Sequence, residues 1–312
     1  MKTNRPAETE PAIEIRGVSR RFGSKLALNN VSLCVPRGVV LGLVGENGSG
    51  KTTLIKHVLG LLKAQSGSVR VFGRDPVTDP VGVLGRIGYL SEDRDLPRWI
   101  RVDELLRYTR AFYPGWDAAY AEQLREQFGL DPAARIKNLS RGECARAGLL
   151  LALAHRPDLL LLDEPGSGLD PVARRDILEA IIRTVGDEGR TVLFSSHLLD
   201  EIERVSDHVA MVVRGEVALS GSLEAIQESH HRLALRFSTA QARPPVLEGA
   251  LRIHGEGREW TAICNGALGE LTAAAEKLGA QVVEDNLPSL DEIFVARAGA
   301  GSRVSQASTL HS

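Results

Sequence analysis

Between Ile13 and Gly73 apolar residues come in short runs separated by polar turns. That pattern predicts strands over residues 12–18, 27–35, 39–44 and 68–72, with a helix-compatible run at 53–62. A further strand at 86–90 gives way to helical spacing. Val102, Leu105, Leu106, Thr109, Phe112 and Tyr113 recur at that spacing, and Tyr120, Leu124 and Phe128 repeat it. From residue 159 to about 219 strand and helix alternate, which reads as a parallel sheet covered by helices. Residues 222–230 read as a helix, and 232–295 as a compact α/β segment. The polar, Pro-bearing residues 1–11 and the small, polar residues 298–312 read as disordered tails. No repeat of about 20–50 residues and no sustained heptad is visible.

A length of 312 residues fits one large domain or two unequal ones. The net charge of −2 supplies no bulk field toward nucleic acid or acidic lipid. Nor do Lys and Arg cluster with interleaved aromatics, so nucleic acid is not an expected partner. No apolar run approaches the roughly 20 residues of a membrane helix, and residues 1–11 lack the apolar stretch of a signal peptide. Cys34, Cys144 and Cys264 fit no metal spacing and point to a reducing compartment. A soluble, cytosolic chain is expected.

The most informative segment is GENGSGKTT, residues 45–53. An apolar run leads into it and a helix-compatible run leaves it, the setting a phosphate-binding loop requires. Gly45, Glu46, Asn47, Gly48, Ser49 and Gly50 supply a turn whose backbone N–H groups face an anion. Lys51 adds a point charge for the β- and γ-phosphates, Thr52 a hydroxyl ligand for Mg²⁺, and Thr53 continues into the helix. A nucleoside triphosphate is the expected ligand.

Downstream, DLLLLDEP at 158–165 reads as a strand buried on both faces that ends in two carboxylates. Asp163 is the expected Mg²⁺ ligand and Glu164 the general base for an attacking water. The segment LSRGE at 139–143 has two readings. Ser140 and Glu143 form an S-x-x-E capping box opening a helix. The same helix start, with the Ser140 hydroxyl and Gly142 N–H, is an anion site.

Taken in order, these segments resemble the nucleotide-binding subunit of ATP-binding-cassette transporters. Phe22 comes first, then GENGSGKTT, IGYLSE at 87–92, LSRGE, LLLLDEP, SGLD at 167–170, and His197 in FSSH. The resemblance covers about residues 12–222 and implies an α/β P-loop NTPase core. To that core it adds an antiparallel β subdomain and an α-helical subdomain (about 93–157) carrying LSRGE. A small C-terminal α/β extension, 223–297, follows. It implies two copies paired head-to-tail, as a homodimer or with a paralogous subunit, and a separate membrane-spanning subunit as partner. ATP would lie between one phosphate loop and the other copy's Ser140, Arg141, Gly142 and Glu143. Phe22 would stack on adenine, His197 would orient Glu164 and water at the γ-phosphate, and Ser167 and Asp170 would signal across the interface. The implied location is the inner face of the cell membrane, through that partner.

Three positions depart from the family pattern. Glu92 stands where Gln is frequent and is carried over as a candidate Mg²⁺ ligand. LSRGE replaces the commoner LSGGQ, with Arg141 offsetting the Glu143 charge. Gly166 stands where Thr is more usual. Tyr89, Tyr108, Tyr113, Tyr120, Trp99 and Trp116 all fall in or beside the helical subdomain. Trp99, in a loop after Pro97, is the preferred contact for a membrane subunit. Tyr108, Phe112 and Tyr113 equally suit packing within the subdomain. The reading that results is an active ATPase of an exporter. A soluble cassette ATPase on ribosomes or DNA would bring tandem cassettes or a coiled coil. A non-hydrolysing regulator would lack Glu164 or His197.

Overall fold

The computed structural model describes residues 10–186 and 189–307. The chain divides into two compact units, one through Ser220 and one from Gly221; the sequence reading sets that boundary at 222. Residues 1–9 and 308–312 of the expected tails lie outside the described residues.

In the first unit β1 (Ile13–Phe22) and β2 (Lys25–Val35) form an antiparallel hairpin. The chain then enters β3 (Val40–Val44), five residues all buried, and passes through the phosphate loop into α1 (Lys51–Val58). Next, β4 (Ser66–Val71) returns to pair with β1, closing a three-stranded sheet in the order β2-β1-β4. Ile13, Ile15, Val18, Leu28 and Val31 pack one face of that sheet onto Leu54, Ile55 and Val58 of α1 in a single core cluster. Burial of this apolar surface fixes the phosphate loop between two sheets.

After α2 (Pro80–Leu84) comes β5 (Ile87–Leu90), then the helical segment α3 (Val102–Arg110), α4 (Ala118–Gln127) and α5 (Arg141–Leu153). The chain re-enters the large sheet as β6 (Leu159–Leu162), whose four leucines are each 0% exposed. It continues through α6 (Pro171–Gly186), β7 (Thr191–Ser196), α7 (Leu199–Val205), β8 (His208–Val213) and β9 (Glu216–Ser222). The large sheet has the order β5-β6-β7-β3-β8-β9, and β5, β6, β7, β3 and β8 pair in parallel. This order brings the ends of β3, β6 and β7 side by side, where ligands bind in open α/β sheets.

The second unit contains α8 (Leu223–Glu228), β10 (His230–Gln241), β11 (Ala250–Asn265), α9 (Leu268–Lys277), β12 (Ala280–Asn286) and α10 (Leu290–Ala307). Its sheet has the order β11-β10-β12, antiparallel throughout. Leu233, Leu235, Phe237, Trp260 and Leu271 form its own core. Helix α10 runs through residues 298–307, which the composition predicts as tail; Ser289 opens it, its N–H donating to Glu292 Oε2 at 2.9 Å.

The aromatic stripe of α3 is only half buried. Val102 and Leu105 face the core, whereas Tyr108 and Phe112 are 60% and 64% exposed and stack edge to face at 5.1 Å. Tyr113 instead stacks on His155 at 4.0 Å.

Candidate active site

A cleft of about 350 Å³ is lined by Phe22, Gly48, Lys51, Thr52, Glu92 and Glu164, with Asn47, Gly50 and Thr53. Residues scattered over the sequence thus meet at one sheet edge. Gly50 precedes α1 at φ 119°, a region closed to L side chains, and an added Cβ would sit 2.8 Å from Ala27 O. Lys25 also lines this cleft. Phe22, 45% exposed at the end of β1, has the Arg20 guanidinium 4.8 Å over its ring.

Lys51 folds back on its own loop. Its Nζ donates to Gly45 O at 2.7 Å and Glu46 O at 3.3 Å, and lies 2.9 Å from Glu164 Oε1. The second Glu164 oxygen faces His197 Nδ1 at 2.7 Å. Glu164 adopts φ 45°, a left-handed conformation that costs a non-Gly residue about 1–3 kcal/mol and needs surrounding contacts to persist. One such contact is Ser195, whose Oγ accepts from Glu164 N at 2.8 Å and donates to Asp163 Oδ1 at 2.8 Å. Ser195 is 0% exposed, and the sequence reading misses it. The signal was a polar residue interrupting the apolar run of β7.

Burial pushes the Asp163 carboxyl above its ordinary range, although hydrogen bonds from Ser195 and Thr52 oppose the shift. Glu92 is raised as well, by burial first and then by the charges of Asp163 and Glu164. Asp163 and Glu92 thus hold their protons more tightly than free carboxyls, and the Thr52 hydroxyl donates to Asp163. Among the described residues no cluster of three or more His, Cys, Asp or Glu is arranged to hold a metal by itself.

The segment LSRGE opens α5 away from this cleft. Ser140 Oγ accepts from Glu143 N at 3.2 Å, and Ser140 N donates to Glu143 Oε2 at 2.7 Å, so the capping box is formed. That backbone hydrogen bond holds the Glu143 carboxyl below its usual range, fixing a negative charge at the helix start. Arg141 lines a second groove, of about 540 Å³, with Glu92, Arg94 and Ser167. Asp170 caps α6, its Oδ1 accepting from Val172 N and Ala173 N at 2.9 and 3.0 Å.

Gly166 has a packing reason. A Cβ there would sit 2.8 Å from Glu201 Oε1. Glu201 is a buried carboxylate that accepts from Ser196 Oγ at 2.8 Å and lies 3.2 Å from Arg174 Nε. The close fit of Gly166 on Glu201 joins the loop after Glu164 to the strand end that carries His197. Glu201 and Arg174 are also absent from the sequence reading.

The model of the ABC transporter family matches residues 28–167. Over 290 residues the chain is 30% identical to YdbJ, an uncharacterised ABC transporter ATP-binding protein of Bacillus subtilis. That alignment spans 92% of this chain and 89% of the relative. It is 34% identical over 247 residues to the daunorubicin/doxorubicin resistance ATP-binding protein DrrA of Streptomyces peucetius, 75% of this chain and 74% of the relative. The solved structure of an ABC transporter ATP-binding subunit aligns with a TM-score of 0.64 at 28% identity. It covers 69% of this chain and 92% of that one. With the nucleotide cleft, these similarities establish that the chain belongs to the ABC transporter family as an ATP-binding subunit, an ATPase that energises a transporter.

Proposed function

We propose that the cleft hydrolyses Mg²⁺-bound ATP in a site completed by a second cassette, with Glu164 as general base. The observation that carries this reading is the position of the Glu164 carboxylate, between Lys51 and His197 in the wall of the cleft. From there it takes a proton from a water attacking a phosphate bound by Lys51. General-base assistance of this kind is worth about 10²–10⁴ in rate. His197, whose side chain is 41% exposed, orients the carboxylate from the open side. Thr52 and Asp163 hold Mg²⁺, with Glu92 beside them; the ion supplies neutralisation of phosphate charge. The exposed Phe22 ring offers adenine a stacking surface worth about 1–3 kcal/mol.

Ser140 and Gly142 act on the phosphate of the partner cassette's nucleotide, and Ser167 and Asp170 face the same interface. This is supported by the absence of Ser140–Glu143 from the lining of their own chain's cleft, among the described residues. The second cassette is a copy of this chain or a paralogue.

Transport is delivered through a separate membrane-spanning subunit, a reading supported by the likeness to ABC transporter ATP-binding proteins. Trp99, 73% exposed, is the preferred contact for that subunit. The likeness to a drug-resistance ATP-binding protein favours export. The chain then sits at the inner face of the membrane through its partner. Affinity purification of the tagged chain from gently solubilised membranes tests this. Recovery of a polytopic membrane protein is the expected result; recovery only from the soluble fraction, with ribosomes or DNA, would contradict it.

A further inference from the structure

The turn that begins at Glu164 presents two carbonyls to one guanidinium. Ser167 N donates to Glu164 O at 3.0 Å, closing the turn. Arg94 Nη2 donates to Pro165 O at 2.9 Å and to Ser167 O at 2.7 Å. The Arg94 backbone has φ 50°, and its Nε is buried without a hydrogen-bond partner. Arg94 N donates to Ser91 O at 3.2 Å and Arg94 O accepts from Leu96 N at 2.8 Å, which holds the backbone turn, and the two charge-assisted bonds fix the guanidinium on the Glu164 turn.

The segment that carries Arg94 touches both cavities of the first unit described above. Glu92 lines the nucleotide cleft and also the neighbouring groove, where Arg94, Arg98 and Arg141 join it. The Glu164 backbone is held directly by Ser195 and by Ser167, and its turn is held from outside by Arg94. Ser195 fixes its N–H from inside β7. Arg94 fixes the carbonyls of its turn from a surface segment outside the large sheet. The Arg94 restraint, unlike that of Ser195, is attached to residues that line an open groove.

We infer that Arg94 is a positioning residue for hydrolysis. It fixes the turn that aims the Glu164 carboxylate, and it makes that aim depend on the conformation of residues 92–98. A change in that segment moves the turn, and with it the carboxylate, while Lys51 and the phosphate loop stay in place. The inference rests on the assignment of Glu164 as general base.

The test compares Arg94→Gln, Arg94→Lys and Glu164→Gln in the full chain with Mg²⁺-ATP. Arg94→Gln is expected to lower kcat by about 10- to 100-fold, the scale of a misplacement near 1 Å, with KM for ATP within about twofold. Arg94→Lys, which keeps the charge and one donor contact, recovers part of the loss. Adding Arg94→Gln to Glu164→Gln lowers turnover no further, because Arg94 acts through Glu164. Wild-type kcat in Arg94→Gln beside an inactive Glu164→Gln would overturn the positioning role and leave the base assignment standing. A raised KM at unchanged kcat, or a kcat loss that tracks a lowered Tm and is not relieved by Arg94→Lys, would overturn it too. Turnover at the wild-type rate in Glu164→Gln would instead remove the base assignment on which it rests.

Discussion

Lys51 Nζ lies 2.9 Å from Glu164 Oε1, and their side chains are only 5% and 6% exposed. The cation of the phosphate loop is thus paired with the carboxylate that stands over it. On the proposed function an incoming phosphate would compete with Glu164 for Lys51, leaving Glu164 its contact with His197.

Removing one member of this pair is costly, and the cost is unequal. Lys51→Met leaves a buried carboxylate with His197 alone and is expected to lower the stability of the nucleotide-free chain by about 3 kcal/mol. Glu164→Gln costs less, because Lys51 retains the Gly45 and Glu46 carbonyls. Urea unfolding of the two variants checks the order.

Restoring the residue more usual in the family at Gly166 should destabilise this chain. Gly166→Thr forces a Cβ into Glu201 Oε1 and against Arg174 Cγ. Overpacking of this kind costs about 1–3 kcal/mol. Glu201→Ala opens the space, so the double variant should be less destabilised than the sum of the singles. Full additivity in thermal unfolding would show that Gly166 and Glu201 do not interact.

The raised Asp163 carboxyl has a signed pH signature. A carboxyl whose pKa is higher in the folded chain contributes stability below its unfolded value, and that contribution is lost as pH rises through the folded value. The window opens at the ordinary 3.8 and extends upward. In the nucleotide-free chain, the stability of wild type relative to Asp163→Asn should therefore fall as pH rises through this window. Mg²⁺ binding needs the ionised carboxylate and should strengthen over the same range. Thermal unfolding of both proteins across the window, with and without Mg²⁺-ATP, reads both effects.

Much of this site is legible in the sequence because its key residues lie in contiguous motifs. GENGSGKTT brings its own backbone setting, so Lys51 and Thr52 could be named from their offsets, and Asp163 and Glu164 from a buried strand that follows a phosphate loop. Arg94, Ser195 and Glu201 could not. Arg94 meets its carbonyl partners 71 and 73 positions away, and Ser195 meets Asp163 across 32. Such contacts exist only once the sheet order is known. Periodicity also overran real ends. Leu61 and Leu62 extend the apolar pattern of α1, but the helix stops at Val58 and the chain turns at Gly60 with φ 72°. Phe112 matches the helical stripe yet faces solvent, since period alone does not say how wide a buried face is.

Ser140→Arg tests the two-cassette arrangement. Ser140 is exposed at the start of α5, so the substitution should cost only the lost cap, about 1 kcal/mol of stability, and leave the chain folded. ATP affinity of the monomer should be retained while turnover is lost. A large loss of nucleotide affinity in the monomer would argue against action on a partner's nucleotide.

The most direct measurement of the central claim is steady-state ATP hydrolysis by Glu164→Gln, with its oligomeric state followed by light scattering in Mg²⁺-ATP. The account predicts turnover reduced by about 10² or more, retained ATP binding, and an ATP-dependent dimer. Hydrolysis at a rate comparable to wild type would contradict it.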